Sequence, residues 1–587
     1  MKTIASHRTA ILLSILVGFV YGSHHFFIPY FLGSQEYYPV TGASQVDMGL
    51  YYGPRARAVY EGQWFAGDIS VIENKESPSM LPLLNPLILG GLGRIAGSLE
   101  RAFILSDFLF PALIFLAVYA LSLEFADRRF PALMFSSLFM FSPKLWLFLP
   151  PVSSFAAKEL FHSVFLWTKP EALYFTRFEY PKITFLFYVL AVYFLLRAMR
   201  DGGWKHILMG GLSFGLVFYT YLYDWAYIIT ALAIFQALLW RDRGMALTKR
   251  LMPAMAVSVT VASFWLVNML RLKRMAHYHD LFLRFGVEIS RSVRVSTWTT
   301  YARNAGLAGV LVWLAKKKPE KKFEFLYLAS FLLAMFAVLN VQVVLGFNPQ
   351  ADHWYRIQFL PVGLAFFVIA LFCYDRLKSF PAIARYASFG GIILMLFIFG
   401  AAGASQYAYS GEHSSLFTLD SAYASSYTWL NNHTDRFSVV GSIALSTNHE
   451  ILLHTHNKVF MPTGFNTMIS DAEITDRFLR TARMYSLAPE RVSSMFADQE
   501  FYFFHERFRD TSLDTFFRAS RRVVDSEMSG DVERAYRYIS GMPAKVPYQL
   551  NYLYYGPREK SLGKDPGDML QGLKKVYDAN GVIIYKL

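Results

Sequence analysis

Carboxylates and arginines that stand just outside long apolar runs are the residues of this chain best suited to chemistry. The first group lies between Gln45 and Gly62, where one acid, Asp47, precedes an aromatic and basic stretch holding Arg55, Arg57 and Tyr60. Asp47 can exchange a proton with a bound hydroxyl, or it can cap a helix running toward Tyr60. A second group, residues 151–181, holds Glu159, His162, Glu171, Arg177 and Glu179. Its three glutamates are equally placed as a second acid. Without paired carboxylates at short spacing no metal is expected to be required, with a divalent ion left as the alternative. Arg177 to Pro181 also reads as a helix start with proline near its first turn. Asp224 follows the tyrosine-rich run Tyr219–Tyr223, where a tight turn would equally explain it. The densest polar cluster is Asp352, His353, Trp354, Tyr355 and Arg356, set between two apolar runs.

Guanidinium forks hold phosphate through paired hydrogen bonds, and Arg55, Arg57, Arg177, Arg284, Arg291, Arg294 and Arg356 are placed to do so. For each one, contact with lipid headgroups or pairing with a carboxylate is the competing expectation. His24, His25, His454 and His456 lack spaced partners in sequence, and the last two alternate as on a strand, which predicts surface positions. The one cysteine, Cys373, sits in an apolar run and makes neither a disulfide nor a structural zinc site. No glycine-rich phosphate loop follows a strand and no Gly-x-Ser-x-Gly elbow occurs. This excludes an ATP-driven pump and argues against a nucleotide-sugar held by a dinucleotide-type fold. The glycine pairs at 90, 210 and 390 fall in apolar helices, where close packing is the expected cause.

The elements that must position these groups are membrane helices. Apolar residues make up 54% of the chain and charged ones only 17%, more apolar surface than a water-soluble fold of this length can hide. Stretches long enough to cross a bilayer run roughly over 9–31, 101–124, 130–150, 182–199, 205–222, 224–240, 251–270, 299–315, 324–346, 357–374 and 385–406, about eleven in all. The net charge of +14 comes from short basic clusters between these runs, the pattern of membrane topology and not of nucleic-acid binding. Residues 127–129, 197–205, 241–250, 316–322 and 375–378 then share one side, the cytoplasmic one, with Lys2 and Arg8. Residues 81–97 are expected as a surface or re-entrant helix. The cluster Arg271, Lys273, Arg274, Arg284, Arg291 and Arg294 falls on the other side against the rule, so either the topology differs there or these cations act outside.

The expected organisation is therefore an α-helical polytopic membrane domain over 1–409, with large outer loops at 33–100 and 151–181. A soluble C-terminal α/β domain over 410–587 follows, also on the outer face. Within it Tyr427–Leu430 reads as helix, Phe437–Ser442 as a buried strand, and Tyr552–Tyr555 and Val582–Tyr585 as terminal strands joined by a polar helix near Met569–Lys575.

An acid in the first outer loop followed by short membrane-parallel helices resembles the GT-C class of membrane glycosyltransferases, and the helix count, the long outer loops and the outer C-terminal domain resemble it architecturally over the whole chain. The resemblance implies an inverting transfer from a polyprenyl-phosphate sugar to a glycan, lipid or protein acceptor, at the outer face of a bacterial or archaeal inner membrane. Asp47 would be the base, Arg55, Arg57, Arg177, His353 and Arg356 would face the donor phosphate, and Asp224 would face sugar hydroxyls. Two other functions compete: a transporter or flippase of lipid-linked glycans, and a non-catalytic membrane subunit. A transporter predicts an internal repeat and charges inside several helices, and the sequence is read as showing neither.

Overall fold

Long apolar runs with no polar partner for the backbone become helices, and in this computed structural model the chain is mostly helical. The structure describes residues 7–40, 51–65, 67–141, 173–177, 180–295, 298–350, 353–377, 381–505, 507, 526–541 and 546–587. Helix lies over every one of the expected apolar stretches, from Arg8–Gly22 and His24–Leu32 to Phe359–Leu377 and Pro381–His413. Among the described residues, five spans are long and apolar enough to cross a bilayer: Arg8–Leu32, Leu99–Ala126, Met245–Lys273, Trp354–Leu377 and Tyr386–Phe417. The other helices fall short by length or charge. Arg129–Phe141 and Leu222–Leu238 are apolar but only 13 and 17 residues long, and Thr184–Asp201 ends in Arg197, Arg200 and Asp201.

The chain divides into two units, Met1–Ser34 with Ile104–Trp265 and Ile289–Ser415, and Gln35–Phe103 with Leu266–Glu288 and Leu416–Leu587. The second unit is built on a mixed sheet of β1 (Val439–Gly441), β2 (Lys458–Val459), β3 (Tyr552–Tyr555), β4 (Lys574–Ala579) and β5 (Val582–Lys586). Its spatial order is β2-β1-β3-β5-β4, with β1 parallel to β2 and β3 and the rest antiparallel. Side chains alternate across it. Val439, Leu553 and Tyr555 pack under the helices Asp471–Met484, Pro489–Phe504 and Ser526–Ser540, while Val440, Tyr552, Tyr554 and Ile584 meet Ser421–His433 on the opposite face. Residues 569–575 are not the expected helix. The chain turns there into β4, and Asn580-Gly581, both at positive φ, close the β4–β5 hairpin. His454 ends the helix Leu445–His454 and His456 bonds Thr434, so both are partly buried and neither stands on a strand surface.

Two buried ionisable groups stitch residues 35–103 into this unit. Asp68 accepts from Ser70 N, Val71 N, Thr467 Oγ1 and Met468 N at 2.7–2.9 Å. Burial pushes its carboxyl up, and these donors pull it back. Lys458 donates to Gln63 Oε1 at 2.6 Å and Ile69 O at 2.7 Å. Burial pushes its ammonium down to about 7. The helix Leu84–Ala96 lies on Gly53–Tyr60 through Leu89, Gly90 and Gly93, and its other face leaves Ile95 86% exposed.

In the first unit the basic loops do gather. Lys321 pairs with Asp127 at 2.7 Å, Arg128 and Lys318 with Asp375 at 2.8 and 3.2 Å, and Arg200 with Glu124 and Glu324 at 2.8 and 2.9 Å. Arg250 donates to the carbonyls of Met199 and Arg200. One end of the helices is thus a layer of paired charge. Along the helices, at least one glycine of each pair makes a close contact. A Cβ on Gly211 would stand 2.5 Å from Ala254 O, and on Gly215 2.6 Å from Val261 Cβ, while a Cβ on Gly390 meets nothing within 4 Å. Gly215→Leu is expected to force Trp204–Val217 away from its neighbour and cost about 1–3 kcal/mol, read as a lower melting temperature in detergent. Gly390→Ala should leave it unchanged.

Candidate functional site

The helices that leave the charged layer end in tyrosines at the far side of the same unit. Trp204–Val217 runs out to Tyr219–Tyr223, Leu222–Leu238 runs back, and Trp354–Leu377 begins beside His353. Segment 173–182 enters the same region as a short turn at Tyr174–Thr176, followed by Arg177 and Tyr180. The rings form a continuous set: Tyr180 stacks on Tyr221 at 4.2 Å, Tyr221 on Tyr223 at 4.8 Å, and Tyr223 meets His353 at 5.2 Å and Trp354 at 4.8 Å. Tyr221 Oη and His353 Nδ1 are 2.6 Å apart. Tyr223 Oη donates to Pro349 O at 3.0 Å, and Trp354 Nε1 donates to Asn348 Oδ1 at 2.8 Å, so hydrogen bonds to the 347–350 turn fix two of the rings.

Two cations share this aromatic wall. Arg356 lies within electrostatic reach of Tyr221, Arg177, Tyr174 and Tyr180. Among the described residues it makes no ion pair with a carboxylate. Asp224, 1% exposed, acts on Tyr174 and Tyr180 from the other direction, and its Oδ2 has no hydrogen-bond partner among the described residues. Burial pushes the Tyr174 and Tyr180 phenols up; Asp224 adds to this, and Arg356 opposes it. Both stay protonated at neutral pH and offer O–H donors. Half-buried guanidiniums and phenol O–H groups are the donor types that an oxyanion would engage.

The structure thus brings Arg177, Asp224, His353 and Arg356 to one place, although 179 positions separate the first from the last. Asp47, Glu159, Glu171 and Glu179 lie outside the described residues. Arg55 and Arg57 belong to the second unit. Arg55 is 2% exposed and donates to Pro82 O, and Arg57 pairs with Glu61 at 2.7 Å, Glu61 in turn meeting Arg436 at 3.3 Å. Of the cations that broke the charge rule, Arg284 is buried in the second unit. It holds Asp471 at 2.6 Å and donates to Ile469 O at 2.8 Å, and burial pushes it down to about 10. Arg291 reaches the carbonyls of Val343 and Val344.

Sequence reasoning missed a second cluster at this end of the first unit. His24 and His25 converge on Asp107, whose other oxygen holds Lys182 at 2.7 Å. His24 and His25 therefore do have partners, 82 or more positions away. The helices also carry buried charge at Asp107 and Asp224, and a half-buried Arg303, which corrects the reading that they hold none. Only the type of residue, an ionisable group inside an apolar run, could have signalled it.

No family model matches the chain, and no curated protein matches it. Among solved structures, ArnT from Cupriavidus metallidurans bound to undecaprenyl phosphate aligns with 99% of this chain and 98% of its own, at 12% identity and a TM-score of 0.44. ArnT from the same organism in the apo state aligns with 100% and 98%, at 12% identity and a TM-score of 0.45. Likeness of this degree transfers no residue and no ligand. The buried carboxylate offers a direct test of the site itself. Asp224→Asn keeps the shape and removes the charge, so it is expected to stabilise the protein by about 1–3 kcal/mol. Thermal unfolding in detergent should show this as a raised midpoint; a fall would mean that the folded chain supplies the carboxylate with a partner.

Proposed function

We propose that this chain is a membrane glycosyltransferase of GT-C type that takes a sugar from a polyprenyl-phosphate carrier and passes it to a glycan, lipid or protein acceptor. The observation that carries the reading is Arg356 beside Arg177, two cations against one wall of protonated phenols, at the end of the helices away from the layer of paired charge. A phosphate reaching that wall from the bilayer would gain bidentate hydrogen bonds from the guanidiniums and further ones from Tyr174 and Tyr180. Its charge would leave with the lipid, so the departing group needs cations more than an acid. The acceptor hydroxyl needs a base, and Asp47 is the proposed one, drawing the proton while the sugar's bond to phosphate opens on the opposite face and the configuration inverts. Glu159, Glu171 and Glu179 are kept as second acids, Asp224 as a contact for sugar hydroxyls, and Arg55 and Arg57 as donors to phosphate nearer the first loop. The transfer itself needs no metal in this scheme.

The same reading proposes that the charged layer faces the cytoplasm of a bacterial or archaeal cell and that residues 410–587 form an α/β domain outside, where it binds acceptor or braces the loops. A flippase for lipid-linked glycans is the second reading, favoured by the buried charges of Asp107 and Lys182 and the half-buried one of Arg303, within or against the helices.

Two variants separate these. Undecaprenyl phosphate should bind the purified protein in native mass spectrometry, and Arg356→Gln is expected to weaken it by about tenfold or more. Asp47→Asn should bind the lipid normally and lose release of free polyprenyl phosphate from a panel of polyprenyl-phosphate sugars by roughly 100-fold or more. Transfer that survives in Asp47→Asn would overturn the mechanism, and lipid movement across vesicles without any sugar release would establish the second reading.

A further inference from the structure

The cluster of His24, His25, Asp107 and Lys182 plays no part in the scheme above. We infer that His24, His25 and Asp107 form a binding site for one divalent transition-metal ion, of which zinc is the simplest case. All three residues are buried, and their ligand atoms lie within 4.8 Å of one another. His25 Nε2 stands 2.9 Å and His24 Nε2 3.6 Å from the same oxygen, Asp107 Oδ2. Tetrahedral bonds of 2.0–2.1 Å place neighbouring ligand atoms about 3.3 Å apart, and the two nitrogen-to-oxygen separations fall on either side of that value.

The hydrogen bonds around the cluster point the same way. His24 Nδ1 lies 2.9 Å from Tyr21 O, a carbonyl that also accepts from Gln406 Nε2 at 2.9 Å. Gln406 Nε2 also stands 3.5 Å from Nδ1, but the shorter contact is to a carbonyl, which only accepts, and it favours the tautomer with its proton on Nδ1 and a lone pair on Nε2. That lone pair faces a carboxylate oxygen, and two acceptors 3.6 Å apart in a dry interior repel unless something positive lies between them. A proton on either group, or a metal ion, can fill that place. A carbonyl behind the outer nitrogen is the usual support for a ligating histidine. Asp107 is supported in the same manner: Lys182 Nζ holds Oδ1 at 2.7 Å and is itself held by Ser106 Oγ at 2.8 Å, which leaves Oδ2 turned to the histidines. Two nitrogen donors disfavour magnesium and calcium and favour zinc and its neighbours.

Three protein ligands leave one position open. With a divalent ion, the ammonium of Lys182 and one carboxylate, the cluster carries two net positive charges, so an anionic oxygen completes it, hydroxide or a phosphate oxygen. Nothing in the proposal depends on sugar transfer, and its readout is metal content.

Untagged full-length protein, stripped with chelator, reloaded with zinc and passed through a desalting column, should hold about one zinc per chain by elemental analysis. Cobalt loaded in its place should give visible d–d absorption that zinc abolishes. His25→Ala and Asp107→Asn should each lose the ion, while Lys182→Met, which spares every ligand, should keep it. Wild-type protein that is monodisperse and takes up neither metal overturns the site. So does zinc that stays in the His24→Ala, His25→Ala double variant, because it would then be bound elsewhere. The wild-type cobalt spectrum needs no variant to fold, and the result stands whether or not the transferase reading survives.

Discussion

A charge inside hydrocarbon has to be answered by a neighbour, and the first unit is arranged around that constraint. At one end Asp127, Asp375, Glu124 and Glu324 take up the basic loops, tying together segments that lie up to 250 positions apart. At the other end the answer is incomplete. Asp107 balances Lys182, while Asp224 has an oxygen with no hydrogen-bond partner among the described residues and Arg356 feels the charge of Arg177. Saturated ion pairs hold helices together, whereas ionisable groups gathered among aromatic rings mark the other end as the candidate site.

The second unit meets the same constraint differently. Two of its buried ions are well supplied: Asp68 has four donors, and Arg284 has a carboxylate and carbonyls. Breaking such a set leaves an uncompensated charge in the interior, so these contacts fasten three distant pieces of chain into one body. Lys458 is the exception. Held down to about 7, it gives up its proton within the physiological range, and the folded form gains on the unfolded one as pH rises from there toward the ordinary lysine value.

The helices were legible in the sequence because an apolar run in lipid has few alternatives, and the basic loops were legible because their charge sorts them to one end. The glycine pairs were legible as well, though only contact geometry tells Gly211, which touches Ala254, from Gly390, which touches nothing. What the sequence hid was convergence. His24 and His25 gave no metal-like spacing because their third partner is on another helix, and Arg177 and Arg356 meet only through folding. The β4–β5 hairpin was missed for a different reason: the lysines around 574 and 575 suggested a polar helix, while Asn580-Gly581 specified a turn. Arg284 was taken for an outward cation, since nothing local announces Asp471.

Tyr180 and Lys182 sit two residues apart on one stretch of chain. The phenol stacks on Tyr221 and the ammonium is clamped to Asp107. One short stretch of chain thus lines both the aromatic wall and the histidine cluster, so a substitution within it touches the surroundings of each.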